Sequence, residues 1–143
     1  MRFWDSSAIV PLLCEEPASA GCRQLLRRDR RQVVWCLTRT EALSALCRQL
    51  PEDALAPADF DLAVRRTEQL AERWVSIDAV DVVQDAAERL LRVHTLRAAD
   101  ALQLGAALVA VAHRPKRRAF VTLDERLAVA AAREGFDVVI PAA

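Results

Sequence analysis

Glycine, histidine and lysine are the scarce residues of this 143-residue chain, and each scarcity removes a class of chemistry. The three glycines, Gly21, Gly105 and Gly135, stand far apart, so there is no glycine-rich loop to cradle phosphates. The two histidines, His94 and His113, fall near the predicted ends of helices, and neither Ser6 nor Ser7 has a histidine nearby in sequence. No nucleophile with an adjacent base is therefore visible. Four cysteines, Cys14, Cys22, Cys36 and Cys47, contain no Cys-x-x-Cys pair and no zinc spacing, and they read as free thiols buried as small hydrophobes in a reducing cytosol. Asp5 interrupts the amino terminus before any apolar run of useful length, so no signal peptide is expected. The longest apolar stretch, residues 98–112, contains Asp100 and Gln103 and falls short of the roughly 20 residues that a membrane span needs. The expectation is a soluble, cytoplasmic protein with no membrane association. Lys116 is the single lysine among 20 basic residues, which 20 acidic residues cancel. That balance argues against a strongly basic nucleic-acid module, and the abundant arginine reads as compositional bias.

What is present is an alternation of short apolar runs with helical patterns. Phe3-Trp4 predicts a strand, followed by a helix over Ser6–Cys14, capped by Asp5 or Ser6 and strained by Pro11. Pro17 suits the start of a second helix reaching Arg28. Val33–Cys36 has strand length and precedes a helix over Glu41–Leu50, with Thr38 or Thr40 as its cap. A further helix over Ala58–Arg73, a strand over Trp74–Ile77, helices over Asp81–His94 and Arg97–His113, and a strand over Ala119–Thr122 follow. The last pair is a helix over Glu125–Glu134, capped by Asp124 and ended by Gly135, and a strand over Phe136–Ile140. Such a pattern in a chain of this size predicts one domain over residues 1–143. Its class is α/β: a three-layer α/β/α arrangement around a mostly parallel five-stranded sheet.

Four carboxylates resist an account by packing. Asp5 and Asp124 fall at the carboxyl ends of predicted strands, Glu41 in the first turn of the helix after the second strand, and Asp100 in the first turn of an apolar helix. Singly, each has a structural reading as a helix cap or as a negative charge that a helix dipole favours. Together they are more informative, because ligands of open parallel sheets sit outside the carboxyl ends of the strands. Converging carboxylates repel one another unless a cation is present, so the set reads as a site for a hard, oxygen-seeking ion such as Mg2+ or Mn2+. Asp100 is the hardest to dismiss, since an unpaired buried charge costs several kcal/mol, and either Arg97 or a metal must compensate it.

The stretches Asp5-Ser6-Ser7, Thr40-Glu41, Leu96-Arg97-Ala98-Ala99-Asp100-Ala101-Leu102 and Val121-Thr122-Leu123-Asp124-Glu125-Arg126-Leu127 resemble the PIN-domain ribonucleases, most closely the VapC-type toxins of toxin–antitoxin pairs. The resemblance covers nearly the whole chain, and four motifs in the family's order and spacing make it fairly specific. It implies that Asp5, Glu41, Asp100 and Asp124 bind metal and serve catalysis, with Ser6 and Thr122 as supporting groups. It also implies Mg2+-dependent cleavage of RNA, a homodimer, and inhibition by a cognate antitoxin protein. Gln103 departs from the histidine that the family often has there. Candidate phosphate contacts are Arg23, Arg27, Arg28, Arg30 and Arg31, together with Arg114, Lys116, Arg117 and Arg118. The alternative expectation is a non-catalytic α/β module that binds a metal or a partner, either receiver-like or an inactive PIN relative.

Overall fold

The computed structural model describes residues 1–29 and 31–143; Arg30, one of the candidate RNA contacts, lies outside the described residues. In chain order the elements are β1 (Phe3–Trp4), α1 (Ser6–Leu13), α2 (Ser19–Arg28), β2 (Val33–Trp35), α3 (Thr38–Gln49), α4 (Pro57–Ala71), β3 (Val75–Ile77), α5 (Val80–Val93), α6 (Ala98–Ala110), β4 (Ala119–Val121), α7 (Glu125–Glu134) and β5 (Asp137–Val139). The strands form one sheet in the order β3-β2-β1-β4-β5, and every neighbouring pair is parallel. The expected α/β class and strand number hold, and the sheet is wholly parallel.

Side chains alternate between the two faces of a strand, and this small sheet is apolar on both. Phe3, Trp35 and Phe120 point to one face and pack with Val83 of α5, Leu104 of α6 and Leu127 of α7. Trp4, Val34 and Val121 point to the other, among Ile9 and Leu13 of α1, Leu46 of α3 and Ala63 of α4. The register that sets Phe3 beside Phe120 stacks their rings with centroids 5.4 Å apart and planes 8° from parallel. Helices α5 and α6 meet closely at Gly105, where a Cβ would stand 3.0 Å from the Val83 carbonyl oxygen and 3.2 Å from the Ala87 nitrogen. Glycine is there for space. At Gly135 it is there for conformation: φ is +103°, the left-handed cap that ends α7.

Two helices start two or three residues from where the sequence places them. The second helix starts at Ser19 rather than Pro17, because the Ser19 hydroxyl accepts the Glu16 N–H at 2.8 Å and donates to the Pro11 carbonyl at 2.7 Å, shaping residues 16–18 as a turn. α3 begins at Thr38, so Thr38 and Thr40 lie inside the helix and neither caps it. Pro11 sits within α1 without ending it, and the helix stops two residues later. Among the cysteines, Cys14 and Cys22 are buried as expected, Cys36 is half-buried, and Cys47 is exposed on α3, contrary to the reading of all four as core residues. Among the described residues, no helix is long and apolar enough to cross a membrane.

Parallel strands put all their carboxyl ends on one edge. Asp5 follows β1, Thr122 to Asp124 follow β4, and α3 begins just beyond β2. The buried helix α6 begins at that edge as well, which brings the first turns of α3 and α6 together with the ends of β1 and β4.

Candidate active site

A cleft of about 540 Å³ opens at the carboxyl edge of the sheet, and Asp5, Glu41, Asp100 and Asp124 all line it. Residues 119 positions apart in sequence thus face one space.

Asp5 is the most deeply set, 3% exposed and the N-cap of α1. Its Oδ2 accepts from the Ser7 N–H at 3.2 Å, from the Ser7 hydroxyl, and from Thr122 Oγ1 at 3.0 Å. Ser7 Oγ also accepts the Leu123 N–H at 2.8 Å, and Thr122 Oγ1 accepts the Asp124 N–H at 3.0 Å. These bonds fasten the end of β1 to the end of β4 and fix one oxygen of Asp5. Burial pushes the Asp5 carboxyl above the ordinary carboxylate range; the bonds from Ser7 and Thr122 pull it back in part, and the charge of Asp100 adds to the rise.

Glu41 is held at both oxygens. Oε2 accepts from Ser6 Oγ at 2.9 Å and Oε1 from Gln103 Nε2 at 3.2 Å, which also reaches Thr38 Oγ1 at 3.2 Å. Burial raises its carboxyl, as do the nearby charges of Asp5 and Asp100. Gln103, buried in α6, therefore positions Glu41, while its own Oε1 is a buried acceptor with no partner among the described residues. Asp124 caps α7 by accepting the Leu127 N–H at 2.8 Å on Oδ1.

Asp100 is the carboxylate with least support. It is half-buried rather than fully buried, and among the described residues it forms no ion pair within 4 Å, so Arg97, one of its two candidate compensators, compensates it only in part. Burial lifts its carboxyl first and the charge of Asp124 second; the Arg97 N–H and the charges of Arg97 and Arg126 offset part of this. Three of the four acids are thus held above their ordinary range by desolvation and by one another.

Oxygen donors alone, with no sulfur or nitrogen ligand, suit a hard divalent cation. Among the described residues, no three histidine, cysteine, aspartate or glutamate side chains stand close enough to enclose an ion as they are placed. Carboxylates without a counter-ion repel, and Mg2+ keeps several waters while using one or two carboxylates, so an open set of acids fits such an ion better than a closed cage would.

Ser44 and Arg48, which sequence reasoning missed, also line the cleft, as do Ser7 and Thr40, which it placed in motifs but gave no part in the site. Glu41, Ser44 and Arg48 recur at i, i+3 and i+7 along α3, the spacing of one helix face, and that pattern was open to reading. Most of the arginines offered as RNA contacts lie away from the cleft. Arg28 and Arg31 precede β2, and Arg114 to Arg118 precede β4, so both groups belong to the amino edge of the sheet, opposite the carboxylates. Arg23 is bound to Glu15 at 2.9 Å. The cations near the acids are instead Arg48, in the cleft, and Arg97 and Arg126, which border an adjoining basin with Asp100 and Asp124.

An all-parallel 3-2-1-4-5 sheet between helical layers is a PIN-like α/β fold. A solved structure with this fold is that of PAE2754 from Pyrobaculum aerophilum, a PIN-domain protein, similar with a TM-score of 0.62 at 16% identity over 97% of this chain and 87% of that one. No protein-family profile matches the sequence, and no curated protein does. Similarity at that identity speaks for the fold, and the activity has to be argued from the cleft.

Proposed function

We propose that this chain is a metal-dependent endoribonuclease, the toxin component of a toxin–antitoxin pair. The observation that carries the reading is the gathering of Asp5, Glu41, Asp100 and Asp124 in one cleft, with three of them raised by burial and mutual repulsion. In this reading all four offer oxygen ligands to Mg2+ or Mn2+, which when bound polarises a phosphoryl oxygen and activates a water. The chain's own work is placement. Ser7 and Thr122 hold Asp5, Ser6 and Gln103 hold Glu41, and the Leu127 N–H holds Asp124, so the acids face the cleft at fixed angles. The antitoxin partner rests on the sequence resemblance. A homodimer rests on that resemblance and on the exposed apolar residues Val80, Val82, Leu91 and Val93 of α5; light scattering of a monomer at high concentration would refute it.

The raised carboxyls set a sign for stability. In the metal-free protein the folded state holds protons on Asp5, Glu41 and Asp100 at pH values where the unfolded chain, with ordinary values of 3.8 and 4.5, has released them. Stability is therefore greatest below those ordinary values, as far as these three groups decide it, and is lost as pH rises through the raised ones. Saturating Mg2+ or Mn2+ should flatten this loss and raise the melting temperature at pH 8; at a hundredfold excess over Kd the added stability is about 2.7 kcal/mol. That corresponds to a shift of roughly 5–10 °C for a chain of this size. Chelator should abolish cleavage of structured RNA under the same conditions. A melting temperature indifferent to millimolar Mg2+ and Mn2+ would favour a non-catalytic binding module instead.

A further inference from the structure

The carboxylate cleft is not closed at its α7 side. It shares Ala99, Asp100 and Asp124 with an adjoining basin of about 520 Å³ bordered by Arg97 and Arg126. That basin in turn shares Glu125 and Arg126 with a third, of about 420 Å³, which reaches Arg133 and Thr95. Arg126, Val129, Ala130 and Arg133 stand at i, i+3, i+4 and i+7, so one face of α7 floors the last stretch of this track.

Its cations are unspent. Among the described residues, Arg97, Arg126 and Arg133 enter no ion pair, and Arg48, at the other end of the cleft, is bonded only to Ser44 Oγ at 3.1 Å. Glu134, next to Arg133 in sequence, is engaged elsewhere: it takes Arg89 Nη2 at 2.7 Å and His94 Nε2 at 2.7 Å. Glu125 remains as a negative group beside the track. Free arginines spaced along a groove, on either side of a set of acids, form the pattern a polyanionic backbone needs if it is to cross those acids.

We propose that an RNA strand crosses the carboxylate cleft and continues along α7, with Arg97, Arg126 and Arg133 contacting its phosphates on one side of the cut bond and Arg48 on the other. The proposal rests on the ribonuclease reading for the position of the cut, but the track itself is tested by binding. A fluorescent single-stranded RNA of about 15 nucleotides is titrated by anisotropy in EDTA across a salt series, and its initial cleavage rate is measured separately in Mg2+. Arg126→Ala, Arg133→Ala and Arg48→Ala should each weaken binding by about threefold to tenfold and reduce the log–log salt slope by about 0.7, the increment of one phosphate contact on a single strand. Arg126→Lys should restore the slope, and Arg133→Ala should leave binding of a trinucleotide unchanged. Arg114→Ala, on the opposite edge of the sheet, should change neither quantity.

Unchanged affinity and slope in the three track variants would overturn the proposal, as would an equal loss in Arg114→Ala, which would mean diffuse attraction. Absence of cleavage in Mg2+ and Mn2+ together with the expected losses in binding would sink the ribonuclease reading and leave the track standing as an RNA-binding surface.

Discussion

Asp100→Asn is expected to cut RNA cleavage by at least about a hundredfold while leaving the fold intact. The change is isosteric and removes one negative oxygen from the cleft, so ligand charge is lost without a cavity. A hundredfold corresponds to about 2.7 kcal/mol of transition-state stabilisation, within the several kcal/mol that a bound metal supplies. Asp100 is the sharpest of the four to test because its side chain holds little else in place. Replacing Asp5 would release the hydrogen bonds of Ser7 and Thr122, and replacing Asp124 would uncap α7. Asp100 has no ion pair among the described residues, and its ionised form is opposed by burial and by Asp124. A neutral asparagine therefore removes repulsion, and the metal-free variant should melt at or slightly above the wild-type temperature at pH 8. Cleavage at the wild-type rate by a folded Asp100→Asn protein would refute the assignment, and a drop in melting temperature would show a structural role instead.

The gathering of the four acids at one edge was readable because their position follows from chain topology. A parallel sheet brings every strand's carboxyl end to one edge, and Asp5 and Asp124 each stand just beyond a strand made of bulky apolar residues. The strands themselves are only two or three residues long, yet each is fenced by helix patterns, which made the alternation visible. Geometry between side chains was less accessible. Nothing in the local pattern around Gln103 says that its amide reaches across to Glu41, 62 positions away in sequence. The edge that the arginine clusters occupy was less legible for a related reason: density of charge along the chain says nothing about which edge of the sheet the charge occupies, whereas the position of Arg114 to Arg118 just before β4 does. Composition alone does not separate Cys47, exposed beside Arg48 on α3, from the buried Cys14 and Cys22.

The acid that sequence reading passed over altogether is Asp29, and it supplies the contrast that gives the other four their meaning. It is buried, 4% exposed, at the amino edge of the sheet. Its Oδ2 accepts the Trp4 indole N–H at 3.0 Å and the Arg2 backbone N–H at 3.0 Å, with the Arg2 guanidinium 3.8 Å away. This carboxylate has donors and a cation built around it; Asp100 has neither in full. Asp29→Ala should therefore destabilise the protein by about 2–4 kcal/mol, because it strands the indole donor of a fully buried tryptophan and leaves a void beneath β1. Asp29→Asn, which keeps an oxygen for both donors and loses only the charge, should cost about 1 kcal/mol. Denaturant midpoints at pH 7 measure both, and neither variant, while folded, should change the rate of RNA cleavage. Equal losses in the two variants would place the weight on charge rather than on the stranded indole, and a lowered cleavage rate in folded Asp29→Asn would contradict the division of labour between the two edges of the sheet.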